Sequence, residues 1–205
     1  MSTEVSVTGL VPSELRQSVL DRLATHCHSA CHFLTREVIF DRGPLEDFPE
    51  DTNMLRLRHT KQTPDFSKPK EAGTGWTLTS LGRPEPERLS PEFLIRPMYA
   101  CPVIEGDPFE FTSALGYRRK FEYYRRGIVL TRGPVMTEIY QVHSTPTDPP
   151  IEWRDVYLIS VTVIIPPANS TGRSIQELRD EASERVRGIQ GYLKGLVDLG
   201  RVEPF

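Results

Sequence analysis

Polar and apolar positions alternate with a period of two along most of this chain, the spacing of half-buried strands, and give way to a helical spacing in three places. Tyr117, Phe121 and Tyr123 fall on one face of a strand that carries Arg118, Lys120, Glu122 and Arg126 on the other. Gly127 and Gly133 then mark two breaks, so 115–142 reads as strand, turn, strand, turn, strand. The longest apolar run, 153–165, is apolar on both faces in its second half and predicts a strand covered on both sides. Shorter strands are predicted at 4–11, 37–40, 54–59, 76–81 and 93–104. Pro97 and Pro102 make the last of these an edge strand or an interrupted one.

The first helical stretch starts at Pro12, Ser13 and Glu14, carries Leu15, Val19, Leu23 and Cys27 every four residues, and is predicted to end near 30. A short helix is predicted at 109–115. The last begins at Ser174, which forms an S-x-x-E capping box with Glu177 and leads a stripe of Leu178, Ala182, Val186, Ile189 and Leu193. A meander of this kind points to an α+β fold, an antiparallel β-barrel of about eight strands with an N-terminal and a C-terminal helix. One domain over 1–205 is expected, with irregular loops near 41–52, 60–75, 83–91 and 144–152.

The 18 prolines agree with long connections, and a net charge of −3 argues against a protein that grips a bare nucleic-acid backbone. Three cysteines cannot all pair, which predicts free thiols in a reducing compartment. No run approaches the roughly 18 apolar residues of a membrane span, and MSTEVSV lacks a basic region followed by an apolar one. A soluble intracellular protein is expected.

Chemistry-bearing patterns are few. In His26-Cys27-His28-Ser29-Ala30-Cys31-His32 the pairs Cys27/Cys31 and His28/His32 have i,i+4 spacing, but on a helix they point about 100° apart, and no second such motif completes a zinc site. No nucleophile elbow or phosphate-binding glycine loop is present, and His59 and His143 have no local support for a triad. Arg118, Lys120, Arg126 and Arg132 would form a phosphate site if they converged inside a barrel. Acids to hold a metal beside them are sparse: Glu4, Glu122, Glu138 and Asp155. No catalytic residue, metal site or cofactor is therefore assigned. A triphosphate-tunnel phosphohydrolase or polyphosphate binder stands as the alternative to a binding protein.

The order of V-T-G-L-V before a helix, L-G-Y-x-x-x-F-E-Y-x-x-x-G at 115–127, E-I-Y-Q-V at 138–142, and Y-L-I-S-V-T-V-I-I-P-P before the last helix resembles the Mediator subunit 18 family. The resemblance covers most of the chain and is strongest from 109 onward. It implies a barrel similar to the triphosphate-tunnel enzymes but used as a scaffold. It also implies a nuclear location and work by protein–protein interaction in the head module of the RNA polymerase II coactivator. Partners implied are Mediator subunit 20, as a heterodimer, and the C-terminal helix of Mediator subunit 8. The RNA polymerase II machinery is reached through the assembled module, and no direct DNA or membrane binding is implied. Arg16, Leu20 and Ala24 on the first helix are candidates for the docked helix, Tyr124 and Tyr140 for the partner barrel.

Overall fold

A computed structural model describes residues 1–41, 54–63, 74–151, 154–167 and 172–202. Eight strands close into an antiparallel barrel: β1 (Ser2–Pro12), β2 (Ser29–Asp41), β3 (Leu55–Thr63), β4 (Trp76–Leu81), β5 (Leu94–Pro102), β6 (Arg118–Arg132), β7 (Val135–His143) and β8 (Val156–Ile165). Their order around the barrel is β1-β5-β4-β3-β2-β6-β7-β8. Helix α1 (Arg16–Ala24) follows β1 through one 3-10 turn, α2 (Pro108–Ala114) precedes β6, and α3 (Ile175–Leu193) closes the chain. The loop expected at 41–52 lies outside the described residues from 42 onward, as does 64–73 of the loop expected at 60–75.

The barrel is polar inside and apolar outside where the helices cover it. On β8, Ile159, Val161, Val163 and Ile165 face outward and are buried, while Ser160 and Thr162 line the lumen. The main core therefore lies between the outer wall and the helices: Val5, Val7 and Val11 of β1, Ile139 of β7, Val19 and Leu23 of α1, and Ala182, Val186, Ile189 and Leu193 of α3. Each such large aliphatic side chain contributes about 1.5–3 kcal/mol on burial, so the helices are integral to stability. The capping box forms as predicted, Ser174 Oγ accepting from Glu177 N and Glu177 Oε2 accepting from Ser174 N. A second core, Val38, Phe40, Leu55 and Leu57, is covered by Phe109 of α2.

The prolines of β5 have a geometric reason. Its first half pairs with β1, from Leu94 to Met98, and its second with β4, from Met98 to Pro102, so each half leaves one side free. Gly9 of the V-T-G-L-V stretch lies under the C-terminal segment, which bonds to Thr8 through Gly200. A Cβ at Gly9 would stand 2.5 Å from Asp198 O.

Two expected boundaries are corrected. The first helix stops at Ala24, and β2 starts at Ser29 instead of 37, because a long β2 is needed to pair with β3 on one side and β6 on the other. The i,i+4 relation within 26–32 thus disappears: Cys31 and His32 are strand residues. Gly127 is no turn either. It sits inside one continuous β6, paired with Tyr140 of β7, and only Gly133, at φ 57°, makes a reversal.

Candidate functional site

The lumen is a cavity of about 420 Å³ lined by side chains from all eight strands. Its acids and bases are interleaved by the pleat. Glu37 of β2 is almost fully buried and gathers partners from two neighbouring strands. Arg125 Nη2 of β6 lies 2.8 Å from its Oε1, Arg58 Nη2 of β3 lies 3.1 Å from the same atom, and Tyr123 donates to Oε2 at 2.7 Å. Arg56 stands 3.9 Å away. Arg125 also donates through Nη1 to Glu138 at 2.8 Å, with its guanidinium 4.9 Å from the centre of the Tyr140 ring. At another place on the wall Arg96 of β5 donates through Nε and Nη2 to Glu4 of β1, which also accepts from Ser6.

Electrostatics follow from this packing. Burial alone would raise the Glu37 pKa, but Arg125, Arg58, the Tyr123 hydroxyl and Arg56 more than offset it and hold the carboxyl at about 2. Tyr123 is pushed upward by burial and by the Glu37 charge, so it remains a neutral donor. Burial disfavours the charged form of Arg125, yet Glu37 and Glu138 outweigh it and raise its pKa, so Arg125 stays protonated. Each lumen carboxylate is therefore already held by a guanidinium. Such a set ties strands together; to hold a metal or activate water these acids would first have to release their partners.

The basic face that would have made a phosphate site points away. Lumen positions on β6 are Tyr123 and Arg125, so the alternation puts Arg126 on the outer wall, while Arg118 and Lys120, beyond the register shift at Ile39 and Phe40, sit at the rim beside Asp41; all three are exposed. Arg132 also lies outside, donating to the hydroxyl of Tyr192 on α3. Glu122 is outside too, held by Arg36 and Arg119. The acid that sequence reasoning missed is Glu37; its only signal was a charge at the head of the apolar run Val38, Ile39, Phe40.

The candidate contact residues separate. Arg16 lies with its guanidinium 4.8 Å from the centre of the Tyr157 ring, Leu20 packs against the main core while half-exposed, and Ala24 is exposed. These three share α1, which packs on α3. Tyr124 lies on the outer wall in a cleft with Leu34, His59, Trp76 and Pro146. Tyr140 does not join it: its side chain lines the lumen against Arg125 and Phe33, because β7 alternates and Tyr140 shares the parity of Glu138. Its assignment to an outer contact is corrected accordingly.

A closed eight-stranded antiparallel barrel with a charged lumen and helices outside defines the triphosphate-tunnel-like class of fold. Among solved structures, a protein of Pyrococcus horikoshii OT3 has this fold, with a TM-score of 0.61 at 13% identity over 98% of this chain and 94% of that one. A protein from Hippeastrum, described as a putative adenylyl cyclase with a dominant triphosphatase activity, aligns with a TM-score of 0.52 at 13% identity over 98% and 92%. A chain in the structure of the Schizosaccharomyces pombe Mediator head module aligns with a TM-score of 0.76, at 22% identity over 98% of both chains. The Mediator of RNA polymerase II transcription subunit 18 of Xenopus laevis is 26% identical over 163 residues, 78% of this chain and 75% of that protein. The family described as Med18 protein matches residues 3–203, and the chain belongs to that family.

Proposed function

We propose that this chain is a non-enzymatic structural subunit of the Mediator head module, acting in the nucleus by protein–protein interaction in RNA polymerase II transcription regulation. The observation that carries this reading is the family match over residues 3–203. The lumen supports it, since Glu4, Glu37 and Glu138 are all engaged by arginine and serve to lock the wall. Partners proposed are Mediator subunit 20, as a heterodimer through the outer wall around Tyr124, and the C-terminal helix of subunit 8 along α1 at Arg16, Leu20 and Ala24. The polymerase machinery is met through the assembled module.

The rival reading, hydrolysis of a triphosphate in the lumen, is tested directly. The purified chain is incubated with manganese and a nucleoside triphosphate, and released phosphate is measured. No release above the blank is expected at stoichiometric protein. Metal-dependent release that disappears in Glu4→Gln would overturn the non-enzymatic reading.

A further inference from the structure

Strand β6 outruns its neighbour β7. The β6–β7 ladder ends at Tyr124 opposite His143, whereas β6 continues back to Arg118, still paired with β2 as far as Asp41. Residues 118–123 therefore have a strand on one side and, among the described residues, none on the other. In antiparallel pairing alternate residues direct both backbone N–H and C=O away from the partner, so among the described residues the outward donors and acceptors of this edge have no strand to pair with. The register shifts opposite Ile39 and Phe40, leaving Lys120 as an extra residue whose own backbone groups lack a partner across the ladder. Six residues span about 20 Å, the length of an ordinary strand.

The side chains on this edge point to the partner's chemistry. Arg118, Arg119 and Lys120 are exposed, and against Glu122 they give the edge three positive charges and one negative, a net of +2. Arg119 is engaged by Glu122 at 2.8 Å and Lys120 by Asp41 at 3.6 Å, while Arg118 makes no ion pair with any described residue. Cations on an edge also serve to block unwanted pairing. Phe121 does not fit a purely blocking role: it is 49% exposed, with its ring 6.1 Å from that of Tyr123, an aromatic anchor at the rim. A second copy of this chain would set +2 against +2, whereas an acidic strand neutralises it.

We propose that the free edge of β6 at 118–123 takes up an extended acidic segment of a partner protein as an added strand. Backbone bonds would supply the pairing, Arg118 and Lys120 the charge selection, and Phe121 the apolar contact. The inference rests on the scaffold reading above and gives it a further surface and a partner chemistry.

The test uses the full chain and a fluorescein-labelled synthetic peptide of alternating glutamate and valine, with an alternating lysine and valine peptide as its counterpart. Fluorescence polarisation should show binding of the acidic peptide at roughly micromolar concentration and at least tenfold weaker binding of the basic one. Arg118→Glu with Lys120→Glu should reverse that preference while lowering the melting temperature by no more than a few degrees, the loss of the exposed Lys120–Asp41 pair, and the acidic peptide should slow amide exchange at 118–123 at least tenfold. Equal binding of the two peptides, protection elsewhere on the barrel, or no binding up to about a thousandfold higher concentration would overturn the proposal. So would a dimer in light scattering that 118–123 holds together, since a second copy would then be the occupant. Assembly with subunits 20 and 8 is measured on the same protein. Assembly without peptide protection removes only this inference; peptide protection without assembly removes only the scaffold reading.

Discussion

Replacing Glu37 by glutamine is expected to destabilise the protein by about 3–5 kcal/mol, the usual consequence of removing one partner from a buried ionic cluster. The isosteric amide keeps the volume but removes the charge that Arg125 and Arg58 share, leaving Glu138 to compensate the burial of Arg125. Arg125 is the more costly of the two, since its side chain is only 9% exposed. Thermal unfolding should shift down by about 10 °C or more. Glu122→Gln is the control, because that acid serves the outer wall, where ion pairs contribute roughly 0–1 kcal/mol. A shift under about 2 °C for Glu37→Gln would show that the lumen network does not brace the barrel.

The same carboxyl sets a pH dependence. Its folded pKa of about 2 lies below the unfolded value of 4.5, so its contribution is fully present above the unfolded value and is lost as pH falls toward 2. Wild-type stability should therefore drop between about pH 4.5 and pH 2 more steeply than that of Glu37→Gln, which has already lost this contribution. Parallel curves for the two proteins would contradict the assignment.

The second large effect is expected at Gly127. A Cβ there would stand 2.0 Å from Ile139 O and 2.7 Å from Tyr140 Cα, both backbone atoms of the paired strand. No side-chain rotation relieves such a clash, so β6 and β7 must part or β6 must bend. Gly127→Ala should cost about 3 kcal/mol or more, beyond the ordinary glycine-to-alanine effect in a strand and opposite in sign to the gain alanine gives where the backbone has room. Denaturant unfolding checks it, and Gly188→Ala, on α3 with nothing within 4 Å, should be neutral or stabilising. Equal midpoints for Gly127→Ala and wild type would mean that the close approach is not a constraint.

Features set by local pattern survived folding well. The capping box of Ser174 and Glu177, the α3 stripe, and the edge character of β5 marked by Pro97 and Pro102 depend on neighbours within a few residues. The β6 alternation was legible too, yet the direction of its faces was not. Under the helices β1 and β8 turn their apolar side outward and their polar side to the lumen, whereas β6 sends Tyr123 and Arg125 to the lumen and Glu122 and Arg126 outward. Period alone cannot distinguish the two arrangements.

Glu37 was hidden for a related reason. Its partners Arg58, Tyr123 and Arg125 belong to β3 and β6, and only the registers of those ladders bring them to one carboxylate. Cys27 misled in the opposite way. It continued the four-residue repeat of α1 beyond the point where Thr25 and His26 leave the helix, so the repeat outlasted the structure that it implied.

That the chain works as a scaffold subunit is tested most directly by the mass of the assembly that it forms. The full chain is co-expressed with Mediator subunit 20 and the C-terminal segment of subunit 8, purified, and measured by size exclusion with light scattering. A monodisperse species with one copy of each is the predicted result. A lone monomer of this chain, with both partners present and folded, would contradict the scaffold role.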